Sequence, residues 1–324
     1  MSVPMAAQVH SVFAQACNVS VRNHGLITLV SAELGNFPRA IRLATPSGFR
    51  FDHRIRPGQR VLRERDTIRI ADADFTIDLR GATGWRSDLS CLRIDLANAA
   101  CLRAWQLARR QTRAHSAARH GIAALLTREQ QPCPKTPRHT ALAADKYAAL
   151  TSALTSSTRA LQTATASLAA LDLVGLGPGL TPAGDDFLVG YLAALWATCE
   201  AGAQPAARRE FLLRFGQGLL GLLNRTTDIS ACYLACAIAG EVSQRLADLA
   251  HGIAAGSDTD VIRTLTESAL AVGSTSGADG ITGLLTGLAT WSSLQPGEPE
   301  ALPLAAINLR QPPNADMSVA PSVA

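Results

Sequence analysis

Two stretches of this 324-residue chain, 93 residues apart, carry one pattern: PAGDDFLVGYLAAL at 182–195 and TSGADGITGLLTGL at 275–288 both read Gly-x-Asp-x3-Gly-x-Leu-x2-Leu. The pattern matches Gly184 to Gly277, Asp186 to Asp279 and Gly190 to Gly283. Residues four apart share a helix face, so Asp186 stands above Gly190, and Asp279 above Gly283 and Gly287. Faces made of small residues let two helix axes come close. A chain with this repeat is therefore expected to bring two helices together on their glycine faces, with the aspartate-bearing starts converging on one composite site. The repeat is either an internal duplication or two helices meeting the same packing demand.

The surrounding sequence divides in two. Of 57 alanines, 10 fall in the first 90 residues and 47 in the remaining 234. From His10 to about Leu89 there are short β-type runs, SVFAQACNVSV, GLITLVSAEL, IRLATPSGFRF and RVLRERDTIRIADADFTIDL. Turn signals separate them: Asn-His-Gly at 23–25, Pro-Ser-Gly at 46–48 and Pro-Gly at 57–58. Strands at this spacing suggest a small barrel or sandwich. From Cys91 onward the period is helical. Ala104, Leu107, Ala108, Ala118, Ile122, Leu125 and Leu126 share one face and Arg103, Arg109, Arg110, Arg113 and His120 another, which reads as an amphipathic helix whose basic face is expected to be solvated, the alternative being a stripe that holds a nucleic acid or an acidic partner. A break follows at 129–140, and Ala-rich helix resumes up to Ala170. The expected fold class is α+β: a β-rich domain at 1–90, a mainly α-helical domain at 91–292 carrying the Gly-Asp motifs, and a loose C-terminal tail at 293–324.

Composition narrows the function classes. At 47% hydrophobic residues the chain has enough apolar side chain for a real core, which excludes general disorder. The net charge of +4 is modest and almost wholly arginine, with Lys135 and Lys146 the two lysines, so it does not indicate nucleic acid, though it keeps anionic ligands open. Seven cysteines, an odd number without C-x-x-C, point to a reducing compartment and a cytoplasmic protein. No stretch of about 18 apolar residues occurs, and the N-terminus lacks a cationic region followed by an apolar run, so neither a membrane span nor export is expected.

The most informative segment is GLGPGLTPAGDDF at 175–187. Thr181 before Pro182 has the form of an N-cap and first helical residue. Gly175, Gly177 and Gly179 precede it and leave backbone N–H groups free to face an anion at the positive end of the helix. No Gly-Lys-Ser/Thr follows and the G-x-G-x-x-G spacing is not met, which excludes a Walker A loop and a dinucleotide fingerprint. Thr181, Gly184, Asp185, Ser276 and Gly277 complete the candidate binding set. Carboxylates near a phosphate are costly, roughly 4 kcal/mol per charge pair at about 4 Å and an effective dielectric of about 20. Asp185, Asp186 and Asp279 therefore either cap N–H groups, hold Mg²⁺, or accept hydrogen bonds from a ligand N–H. Between the motifs, NRTTDIS at 224–230 offers Arg225 for a bidentate anion contact and Thr226 and Thr227 as hydroxyl donors; helix capping explains the Thr/Ser cluster equally well. His10 and Ser11 are expected to point to opposite faces of a strand. No G-x-S-x-G and no zinc-spaced His/Cys cluster is found.

GLGPGLTPAGDDFLVGYL, TTDIS, GSTSGADGITGLLTGL and the opening VHSVFAQACNV at 9–19 together resemble the AllH-type subunit of oxamate carbamoyltransferase, over about residues 8–292. The resemblance implies a multi-subunit enzyme working with FdrA-like and AllG-like partners in allantoin and purine catabolism, converting oxalurate and phosphate to oxamate and carbamoyl phosphate or the reverse. The residues suit that chemistry. The 175–184 loop would hold phosphate, Arg225 or Thr226 and Thr227 would polarise the carbonyl, and Asp186 or Asp279 would meet the amide leaving group. The Ser-Thr-Arg-Thr and His-Pro-x-Gln motifs of the aspartate and ornithine carbamoyltransferases are missing; Ser157-Thr158-Arg159-Ala160 is the nearest match, so that fold is rejected. The alternatives are a non-catalytic assembly subunit, in which the glycines serve packing alone, and an enzyme of the same fold acting on another small carbamoyl or carboxylate substrate.

Overall fold

The computed structural model describes residues 7–128 and 138–292, without the side chains of residues 128 and 138–144. The expected tail at 293–324 and most of the expected break at 129–140 lie outside the described residues.

The chain begins with a seven-stranded, nearly closed barrel-like sheet: β1 (Ala7–Val12), β2 (Ala16–Val21), β3 (Gly25–Ser31), β4 (Ala40–Leu43), β5 (Arg60–Glu64), β6 (Thr67–Ile70) and β7 (Phe75–Asp78), in the order β4-β3-β2-β1-β5-β6-β7. All neighbours are antiparallel except β3 and β4. Its core is filled by alternate residues of these strands, among them Val9, Cys17, Val19 and Ile70, with Phe51 from a connecting turn. The Asn-His-Gly signal is the β2–β3 turn, where Asn23 and Gly25 take φ of 64° and 74°, the left-handed region that Gly and Asn tolerate best.

One strand expectation needs correction. The β1–β2 register shifts between Val9 and Ser11, so His10 is an extra residue opposite Asn18. This bulge rotates the strand, and the His10 and Ser11 side chains, expected on opposite faces, meet at 3.1 Å between Nδ1 and Oγ.

Ten helices follow among the described residues. α1 (Ala99–Ala114) is capped by Asn98, whose side chain accepts from the N–H groups of Ala100 and Cys101. The amphipathic helix expected through residue 126 is in fact broken after Ala114. His115 is extended, its Nδ1 accepts the Ala117 N–H at 3.3 Å, and a short 3₁₀ turn at Ser116–Arg119 intervenes before α2 (Ala124–Arg128). The basic face is not simply solvated either: Arg109, Arg110 and Arg113 are half-buried, and the Arg109 guanidinium lies 5.6 Å from the centre of the Trp105 ring. The rest are α3 (Arg138–Arg159), α4 (Thr163–Leu171), α5 (Ala183–Thr198), α6 (Pro205–Leu220), α7 (Asp228–Ile238), α8 (Gln244–Ala254), α9 (Thr259–Leu270) and α10 (Ser276–Thr290).

α5 and α10 are the two motif helices, and nearly every residue of both is buried. The other helices pack around this pair, and the sheet joins through residues near α7 and α8. There Asn36 donates from Nδ2 to the Gln244 side chain at 2.8 Å, and the Gln244 N–H donates to the Asn36 carbonyl at 2.9 Å. Among the described residues no helix is long and apolar enough to cross a membrane.

Candidate functional site

The α5–α10 contact is reciprocal. A Cβ at Gly190 would overlap the carbonyl oxygen of Gly280, and a Cβ at Gly283 would overlap that of Phe187. In the repeat, Gly283 is the equivalent of Gly190 and Gly280 the equivalent of Phe187, so each helix presents the same two positions to the other. The helix starts follow suit. Gly184 and Gly277 are equivalent, and each sits against a backbone carbonyl of the segment before its helix, Leu173 and Ala269 respectively, leaving no room for a side chain. These four glycines have a steric role. Across the seam the hydroxyls of Thr181 and Ser276 are hydrogen-bonded at 2.8 Å.

Because the Thr181 hydroxyl is engaged there, it does not cap α5. The helix starts at Ala183, with extended Pro182 at the cap position and no side-chain cap, one residue later than expected. What the sequence placed as a cap is instead a bridge between the two helix starts.

A cavity of about 310 Å³ opens beside this bridge, between the sheet and the helices. Of the residues anticipated from sequence, Thr181, Asp186, Ser276 and Gly277 line it. Asp186 is its inner carboxyl group. The Oδ2 atom is buried without a hydrogen-bond partner. Burial pushes the Asp186 pKa up to about 8, the hydroxyls of Ser276 and Thr181 pull against that, and the charge of Asp279 adds to the rise. At neutral pH the group is mostly the neutral acid, a donor as well as an acceptor.

The remaining anticipated residues are placed elsewhere. Asp185 is buried behind the cavity and ties the glycine loop to the 226 region, accepting the Gly175 N–H at 2.9 Å and the Thr226 hydroxyl. Its pKa is raised by burial and held back by those donors. Gly175, at φ 74°, lies under the Arg225 carbonyl, where a Cβ would be 2.6 Å from the oxygen. Arg225 itself is exposed. Thr227 donates to the Leu180 carbonyl at 2.6 Å and caps α7 by accepting the Ser230 N–H at 3.1 Å. Gly177 packs on the start of α5 and Gly179 stands in open space, at φ 118° and 100°. Asp279 is turned away from the cavity: its Oδ1 accepts the Ala123 N–H at 2.9 Å, with both oxygens 2.5 Å from where a Gly121 Cβ would be. Burial raises the Asp279 pKa to about 7, the N–H groups of Ala123 and Ile122 opposing the rise.

Several cavity residues carry no sequence motif. Asn18 and Thr28 line it from β2 and β3, Thr28 donating to the Asn18 side chain at 2.8 Å; Tyr233 comes from α7 and Arg245 from α8. Asn18, a buried polar residue in β2 between the core residues Cys17 and Val19, was the one available signal. No group of three or more His, Cys, Asp or Glu placed to hold a metal occurs among the described residues.

Two family models match the chain: one described as AllH family N-terminal domain over residues 2–84, and one described as oxamate carbamoyltransferase subunit AllH over residues 173–288. No curated protein and no solved structure matches.

Proposed function

The chain belongs to the AllH family of oxamate carbamoyltransferase subunits, and from that premise we propose that its cavity is where a carbamoyl group passes between oxamate nitrogen and phosphate, with Asp186 handling the proton on that nitrogen. The observation that carries this reading is the Asp186 carboxyl, pushed toward the neutral acid by burial and with its Oδ2 lacking a hydrogen-bond partner, on the wall of a partly open cavity. In the direction of oxalurate breakdown, a phosphate oxygen attacks the ureido carbonyl carbon, the bond from that carbon to the oxamate nitrogen breaks, and the nitrogen takes a proton. A carboxylic acid with a pKa near neutrality is suited to give that proton and, in the reverse direction, to remove it. The Thr181–Ser276 hydroxyl pair, beside Asp186, spends one O–H on its own bond and has one left to turn toward the developing oxyanion. The N–H groups of Gly177, Gly179 and Leu180 have no hydrogen-bond partner among the described residues, and Leu180 reaches the cavity, so this turn is the place we assign to phosphate. Asp185, Thr226 and Thr227 hold the loop in position, and Asp279 holds α10 to the 121–123 turn.

A subunit implies other subunits, and we assign FdrA-like and AllG-like chains to that role, in the cytoplasm and in purine or allantoin catabolism. A second reading, a non-catalytic assembly subunit, is favoured by Leu168 on α4 and Leu213 and Leu220 on α6, large apolar side chains that stand exposed on neighbouring helices. Co-expression with both partners followed by a phosphate-dependent oxalurate assay separates the two. Asp186→Asn and Gly177→Ala should each lose turnover in a complex that still assembles. Full turnover in both variants would leave the assembly reading standing.

A further inference from the structure

One end of the cavity is supplied by neither glycine motif. Arg245, in the first turn of α8, lines it together with Ser243, the residue before the helix. Its guanidinium donates to the carbonyl oxygens of Glu33 at 2.7 Å and Ser268 at 3.1 Å, and among the described residues no carboxylate is in ion-pair contact with it. Glu241 lines the same cavity, but its carboxylate is taken by Arg86 at 2.7 Å. Two neutral carbonyls fix the direction of the guanidinium fork and leave its charge without a counter-ion. The position sharpens that imbalance. A cation in the first turn of a helix faces the positive end of the helix dipole, and Ser243, the residue before α8, makes no side-chain cap. An anion at this end of the cavity would answer both charges.

The rest of the lining is mostly apolar, with Phe13, Phe37, Val189, Ile229, Leu246 and Val272 among it. A volume of about 310 Å³ equals that of about ten waters, room for a small amide acid together with a phosphate group. The charged and acidic groups of the lining include an arginine and a carboxylic acid, and most of the surface around them is apolar.

We propose that Arg245 anchors the carboxylate of the cavity's ligand, and that this ligand is an amide or ureide of a short carboxylic acid bearing an apolar substituent. The amide nitrogen faces Asp186 and the substituent covers the apolar lining. This rests on the reading of the cavity as the ligand site and extends it from oxamate to a larger member of the same chemical class.

The test is calorimetric titration of the full chain with oxamate, N-butyloxamate and the neutral methyl ester of N-butyloxamate. With about fourfold in affinity for each buried methylene, N-butyloxamate should bind on the order of a hundredfold more tightly than oxamate. Arg245→Gln should weaken both acids by about tenfold or more, Arg245→Lys should recover part of that, and the ester should bind weakly and alike to all three proteins. Circular dichroism and thermal melting establish that the variants are folded. Equal affinity for the two acids, unchanged binding in folded Arg245→Gln, or no binding by the unmutated chain each overturns the proposal. Oxalurate turnover by the assembled complex is scored separately: binding as described with no turnover sinks the carbamoyl reading alone, and turnover indifferent to Arg245 sinks this proposal alone.

Discussion

Replacing Asp186 by Asn tests whether the carboxyl is a neutral acid inside the folded protein. The Asp186 pKa rises from 3.8 to about 8 on folding. Between those two values the native state holds a proton that the unfolded chain releases, so the stability associated with this group is complete below pH 3.8 and drains away as pH rises toward 8. Each pH unit inside the window is worth about 1.4 kcal/mol, which makes the loss from pH 4 to pH 7 about 4 kcal/mol, a sizeable part of the stability of an ordinary domain. Asn has no proton to lose. The Asp186→Asn protein should therefore match the unmutated chain near pH 4 and exceed it by a growing margin up to pH 8, with a plateau above. Urea unfolding at half-unit pH steps measures this, and the difference between the two curves cancels the titrations they share. Parallel curves from pH 4 to pH 8 would refute the assignment of Asp186 as the neutral acid, and with it the proton-transfer role.

The glycine seam and the buried acceptor network give separate expectations. Gly190→Ala or Gly283→Ala should each cost about 3 kcal/mol or more, because the added methyl meets backbone that cannot move aside without parting α5 from α10. Gly179→Ala, with open space around it but φ of 100°, is the comparison and should lose only about 1–2 kcal/mol through strain; melting temperatures that rank Gly179→Ala below the seam variants would contradict the packing account. Thr226→Val takes a hydroxyl donor from buried Asp185 and should cost about 2 kcal/mol in urea unfolding, while a neutral result would mean that the loop is not held through this contact.

The parts of the fold that were legible in the sequence are those governed by local demands. Strand alternation and glycine-bearing turns identify the sheet, and small residues four apart identify the faces of α5 and α10, because each element carries its own packing requirement in its own residues. The errors share the opposite character. Thr181 has the form of an N-cap, yet its hydroxyl goes to Ser276, 95 residues away. Helical periodicity runs through His115, yet the chain turns there, since the ring nitrogen offers the Ala117 N–H an acceptor that ends the helical pattern.

The cavity is hardest to read because β2, β3, α5, α7, α8 and α10 all contribute to it, and no single segment carries its pattern. The repeat makes this concrete. Asp186 and Asp279 occupy the same position in the same motif, at equivalent places in a reciprocal helix pair, and a reading of the motif assigns them the same chemistry. Their surroundings do not. The turn at Gly121–Ala123 closes over Asp279, Gly121 clearing the space that a side chain would deny it, and the Ala123 N–H occupies one carboxylate oxygen. No turn closes over Asp186, and the space there is left to the cavity. The two helices thus supply a pair of identical buried acids, and the element that packs on each one decides whether it becomes a structural acceptor or is left free to meet a ligand.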